Sequence, residues 1–111
     1  SISIYYAVME KADNVLTIRS NFVWSDVGSW DEIYRMADRD TDGNAFKGEI
    51  VNVRSKNNLV WSEDKLIAVV EVEDLVVVET KDAVLVCKRG KSQTVKEVIE
   101  LLKKRNRQDL V

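Results

Sequence analysis

Five short runs rich in valine and isoleucine crowd the middle of the chain: EIVNV at 49–53, NLVW at 58–61, KLIAVVEV at 65–72, LVVVET at 75–80 and AVLVCK at 83–88. Each is bounded by Asn, Asp, Glu or Lys, so residues 49–88 have room for short strands joined by tight turns and for little else. Two of the runs echo each other, because Asp74-Leu75-Val76-Val77-Val78 and Asp82-Ala83-Val84-Leu85-Val86 match at a spacing of eight. That spacing predicts a stacked or coiled β architecture. It matches a hexapeptide β-helix period poorly, which leaves a β-roll or a small sandwich open as well. Several runs are continuously apolar where a half-exposed strand would alternate, so burial on both faces, or against a partner chain, is expected.

The rest of the composition narrows what such a β-layer can serve. With 111 residues, no proline, 45% hydrophobic and 32% charged residues, the chain has the make-up of one ordinary soluble domain. Seventeen basic and nineteen acidic residues leave a net charge of -2 with the signs interspersed, so no basic face points to nucleic acid or to an anionic membrane. The basic cluster at 103–107 sits at the end of a helical pattern, where cations complement the helix dipole. No apolar run approaches the roughly twenty residues of a membrane span, and no secretory leader opens the chain, so a cytoplasmic location is expected. The lone Cys87 cannot form an internal disulfide, and its apolar surroundings predict a buried thiol. Histidine is absent, which removes the commonest general base, the Ser-His-Asp triad and every His-bearing zinc site.

Helical periodicity flanks the β-rich middle. SQTVKEVIELLKKRN places Val95, Val98, Ile99 and Leu102 on one stripe, with Ser92 as the expected N-cap. The turn-rich RDTDGN at 39–44 divides this second part from the first forty residues. There SISIYYAVMEK reads as a short amphipathic helix with Ile4, Val8 and Met9 inward, and VLTIRS at 15–20 as a strand. In FVWSDVGSW, Ser29 and Glu32 have the spacing of a capping box, announcing a helix over 30–37 with Ile33, Met36 and Ala37 as its inner stripe. Asp26 therefore falls on a strand-to-helix turn just ahead of a helix N-terminus, where anions and metal-bound phosphates are commonly held, and Gly28 would let a ligand approach closely. On spacing alone, a plain helix-capping Asp26 with Trp24 and Trp30 filling a core is favoured over a metal ligand, because one carboxylate is a weak metal site.

The ordered motifs SISIYYAVMEK, FVWSDVGSWDEIY, DGNAFKGEIV, EDLVVVETKDAVLV and KSQTVKEVIE resemble the C-terminal third of the mannose-1-phosphate guanylyltransferases, from Ser1 to about Lys104. The resemblance implies a mainly β fold with flanking helices: residues 1–42 end an α/β nucleotidyltransferase domain, and residues 43–111 form a short β-helix-like or β-roll domain with a C-terminal helix. It implies a parent enzyme that makes GDP-mannose and pyrophosphate from GTP and mannose 1-phosphate with Mg2+, mostly by positioning and charge neutralisation. Within it, Asp26 becomes the expected magnesium ligand, and Glu10, Lys11 and Gly28 the residues on the substrate side of the cleft, with no catalytic residue assigned. The β-rich part is expected to help subunits pair into a homo-oligomer.

Two departures from the family pattern matter. Tyr5 stands where the family usually has an aspartate, and no glycine-rich phosphate loop exists among Gly28, Gly43, Gly48 and Gly90. The chain therefore reads as a fragment, inactive alone. The alternative is a self-standing, non-catalytic β-rich assembly module in which the WSDVGSW loop is purely structural.

Overall fold

A computed structural model describes residues 9–12, 15–18, 24 and 29–111. In chain order the elements are β1 (Met9–Ala12), β2 (Val15–Ile18), α1 (Ser29–Met36), β3 (Ala45–Lys47), β4 (Ile50–Val53), β5 (Leu59–Ser62), β6 (Ile67–Val70), β7 (Leu75–Glu79), β8 (Val84–Lys88) and α2 (Lys96–Lys104). All five apolar runs are strands, and a sixth, the three-residue β3, precedes them. The expected helix over SISIYYAVMEK is corrected where it is described: Met9–Ala12 is a strand, antiparallel to β2 in the register Met9↔Ile18 to Ala12↔Val15. An isolated helix of eleven residues is marginal in water, and pairing with a neighbouring strand outweighs its weak propensity. Residues 1–8 lie outside the described residues.

The heart of the fold is a coil of parallel strands. In one sheet, ordered β3-β5-β7-β8, β3 pairs with β5 and β5 with β7 in parallel; in a second, β4 pairs with β6 in parallel. The registers Leu59↔Val76 and Ile50↔Ile67 set one coil at seventeen residues, and Ala45↔Leu59 makes the first one three residues shorter. A lone bridge between Lys56 and Glu73, again seventeen apart, adds a third wall. The eight-residue echo has a different meaning from the one expected. Its two runs, β7 and β8, form an antiparallel hairpin with Val77 opposite Val86, and this hairpin ends the coil.

Stacking explains why otherwise awkward residues recur at matched corners. Gly43, Asn57 and Asp74 occupy one corner of successive coils, all with positive φ (78°, 60° and 58°); Asn and Asp are the residues besides glycine that tolerate this region best. Arg54 and Glu71 share the next corner (φ 52° and 50°) and pair at 3.2 Å. Inside, Asn44 stacks on Asn58. The Asn44 amide donates to the Ser55 carbonyl at 2.8 Å, its Oδ1 accepts from the Asn58 backbone N–H at 3.0 Å, and Asn58 Oδ1 accepts from Leu75 N–H at 2.9 Å. Both asparagines are buried, so this ladder satisfies backbone groups that the turns leave without strand partners. Gly48, at the Ser62 corner, leaves no room for a side chain: a Cβ there would run into the Ser62 carbonyl.

Through β5 and β7 the larger sheet is covered on both faces, as its continuous apolar runs require. Leu59, Trp61, Val76, Val78 and Leu85 face α1 and the C-terminal segment, where Val95, just ahead of α2, and Val98, Ile99 and Leu102 on it form the expected stripe. Val60 and Val77 face the coil interior with Phe46, Ile50, Ile67 and Val69. On α1, Ile33 is buried and Ala37 packs against the core, but Met36 is half exposed and Tyr34 is buried in its place. Ser92 does not cap α2. It opens a 3-10 turn, Ser92–Val95, that leads into the helix, and its hydroxyl is used elsewhere.

Candidate functional site

The two large rings expected to flank the candidate loop are both core residues: Trp24 and Trp30 are buried, and Trp30 meets Trp61 of β5 edge to face, centroids 6.0 Å apart at 70°. Asp26 and Gly28, between them in sequence, lie outside the described residues. Glu10 and Lys11 sit in β1, in register with Thr17 and Leu16 of β2, in a strand where a helix was expected.

What the described residues define is the seat on which the helix after this loop rests. Asp31, in the first turn of α1, accepts two hydrogen bonds from beyond the end of β8: Oδ1 from the Gly90 N–H at 3.0 Å and Oδ2 from the Ser92 hydroxyl at 2.8 Å. One turn on, the Tyr34 hydroxyl donates to the Gly43 carbonyl at 2.7 Å. The Arg89 guanidinium lies 4.3 Å from the Tyr34 ring centroid while bonding Asp74 and the Asn57 carbonyl, both at 3.1 Å. Thus α1 is held by an apolar face and by polar contacts at its start and middle. Glu32, expected to close a capping box with Ser29, pairs with Arg35.

Clefts open on both sides of the helix. One of about 520 Å³ runs between Ile33 and Met36 of α1 and Phe46, Leu59 and Trp61 of the sheet, with Lys47 Nζ 5.5 Å over the Trp61 ring. The other, about 710 Å³, is lined by Arg35, Arg39, Lys88 and Arg89 together with Asp31 and Asp74. Among the described residues no three carboxylate, histidine or cysteine side chains gather into a metal cage. Cys87 is partly buried where a buried thiol was expected; burial, and after it the negative charge of Asp31, raise its thiol above the ordinary value, which makes it a poor nucleophile.

Sequence reasoning missed the buried carboxylate Glu79, at the Ser62 corner one coil down. Its Oε1 accepts from the backbone N–H groups of Asp64 (2.9 Å) and Lys65 (3.0 Å) and from the Ser62 hydroxyl (3.1 Å). Burial alone would raise its pKa, but these donors, with Lys65 nearby, outweigh it and hold the carboxyl below the usual glutamate value. It pins the β5-β6 turn. A glutamate ending an LVVVE run carries no local sign of this, since its partners lie fourteen to seventeen residues back.

Comparison with known proteins places this arrangement. Residues 48–102 match the family model described as the MannoseP isomerase/GMP-like beta-helix domain. A mannose-1-phosphate guanylyltransferase 2 from Escherichia coli O157:H7 is 40% identical over 98% of this chain, and a mannose-1-phosphate guanylyltransferase from Salmonella montevideo is 42% identical over 96%. The chain spans 23% of the length of each. A crystal structure described as mannose-1-phosphate geranyltransferase from Thermus thermophilus superposes with a TM-score of 0.61 at 26% identity, covering 67% of this chain and 23% of that one. No described helix is long and apolar enough to cross a membrane. By this coiled domain and by identity along nearly its whole length, the chain belongs to the mannose-1-phosphate guanylyltransferase family, to whose C-terminal part it corresponds.

Proposed function

We propose that this chain is the C-terminal part of an enzyme that makes GDP-mannose and pyrophosphate from GTP and mannose 1-phosphate. The observation that carries the reading is identity of 40–42% sustained over 96–98% of the chain with relatives of that name. In this reading residues 1–42 complete the nucleotidyltransferase domain and residues 43–111 are the β-coil with its C-terminal helix, the boundary falling at the first left-handed corner, Gly43.

Asp26 supplies one ligand to Mg2+, with the remaining donors coming from substrate phosphates, water and an acid outside this chain; the bound ion would neutralise phosphate charge. Gly28 admits the substrate close to the backbone, and Glu10 and Lys11 lie toward the sugar phosphate. The described part of the chain seats the helix that follows this motif. Trp30, Asp31 and Tyr34 fix that helix on a sheet whose central strands are buried on both faces. With no phosphate loop of its own, the chain alone binds GTP weakly and does not turn over. A GTP-consuming step and an unpaired thiol both suit the cytoplasm.

Subunit pairing is the second task assigned to the coil. The outward positions of the β4-β6 sheet are all apolar, Val51, Val53, Ala68 and Val70, with Val51 and Val70 about half exposed. The test of the enzymatic reading uses the full-length protein. Asp26→Asn should abolish GDP-mannose formation with little change in melting temperature; a variant that keeps its activity and loses about 1 kcal/mol of stability would make Asp26 a helix cap.

A further inference from the structure

Asp31 makes a contact that its place in the sequence does not require. An acid in the first turn of a helix is already favoured by the dipole and by the free N–H groups of that turn. Yet both Asp31 oxygens are bound by groups 59 and 61 residues away, the Gly90 N–H and the Ser92 hydroxyl. Ser92 is only 3% exposed, and its hydroxyl is given to Asp31 in preference to capping the helical turn that it opens. Charge-assisted bonds of this kind are short and stronger than neutral ones, and two of them on one carboxylate fix direction as well as distance.

We propose that Asp31 is a positioning residue, the clamp through which the end of the β-coil fixes the start of α1, the helix that follows the motif carrying Asp26. Covalent geometry limits how far the effect must travel: Asp26 is five positions from Asp31, at most about 18 Å of extended chain. The neighbouring contacts of α1 restrain other directions, with Trp30 against Trp61 and the Tyr34 hydroxyl on the Gly43 carbonyl, while Asp31 ties the helix start to the segment after β8. The coil then acts as a jig for the transfer site besides any role in assembly. This functional half rests on the reading that residues 26–28 belong to that site.

Hydrogen exchange and kinetics separate the two halves. In the 111-residue chain, Asp31→Asn and Ser92→Ala should each speed amide exchange in α1, residues 29–36, about tenfold while leaving the β5 and β7 amides unchanged, and the double variant should add little to either single one. In the full-length enzyme both variants should lower kcat with KM nearly unchanged, as loss of positioning does. Exchange in α1 that stays at the wild-type rate, or that rises only in step with β5, would overturn the clamp. Faster exchange with kcat intact would leave the clamp standing and count against the transfer-site reading instead.

Discussion

The coil of residues 43–79 and the helix α1 beside it hold their places by opposite means. In the coil every turn rests on a nearly identical one, so a residue at a corner meets its own equivalent seventeen positions on: Asn57 above Asp74, Arg54 above Glu71, Ser62 above Glu79. Errors in one turn are felt by the next, and the Asn44-Asn58 ladder fastens them through buried hydrogen bonds. Helix α1 has no such neighbour of its own kind among the described residues. It depends on single contacts with distant segments, Trp61, Gly43 and the 90–92 turn. Scaffold and attachment are thus built differently within one chain, and the attachment is the part next to the proposed chemistry.

The sharpest way to break this contrast is to strike the ladder. Asn58→Ala would strand the Leu75 N–H, take from the Val72 carbonyl the amide donor that it holds besides the Lys56 N–H, and leave Asn44 short of a donor. The expected cost is about 3 kcal/mol, with the whole chain losing stability in one cooperative urea transition. Tyr34→Phe should cost only about 1 kcal/mol by removing the bond to the Gly43 carbonyl, and helical circular dichroism should begin to fall before the β signal does. Coincident loss of both signals would erase the distinction drawn here.

The smallest effect at neutral pH should come from Glu79→Gln, which keeps the acceptor oxygen and the shape. Its signature is in acid. Because the folded pKa of Glu79 is depressed, the carboxylate contributes stability above its unfolded value, near 4.5, and that contribution fades as the pH falls through the folded value. Wild type should therefore lose stability more steeply than Glu79→Gln below about pH 4.5. Parallel acid limbs would mean that the pocket around Glu79 does not favour the charged form.

The five apolar runs could be read as strands because β-branched residues between turn formers leave few alternatives. The coil period could not. Successive turns repeat backbone conformation and burial, with Asn at 57 answered by Asp at 74 and Ser at 62 by Glu at 79, so residue identity conceals a repeat of seventeen. The echo that was visible, at eight, belongs to a hairpin. β3 escaped notice because three residues, one of them a lone Phe46, carry no periodicity. The Met9–Ala12 strand was mistaken for helix because pairing with Val15–Ile18 outweighed local preference. Of the candidate site, Asp26 and Gly28 stood out through a motif, whereas Asp31 gave no local sign: its partners come from the other end of the chain.

Residue-resolved native-state hydrogen exchange on the unaltered chain tests the contrast most directly. The amides of β5 and β7, flanked by strands on both sides, should exchange only through global unfolding, and those of α1 should exchange at least tenfold faster through a separate opening that leaves the coil intact. A single common opening free energy for α1, β5 and β7 would show one indivisible unit and contradict the account.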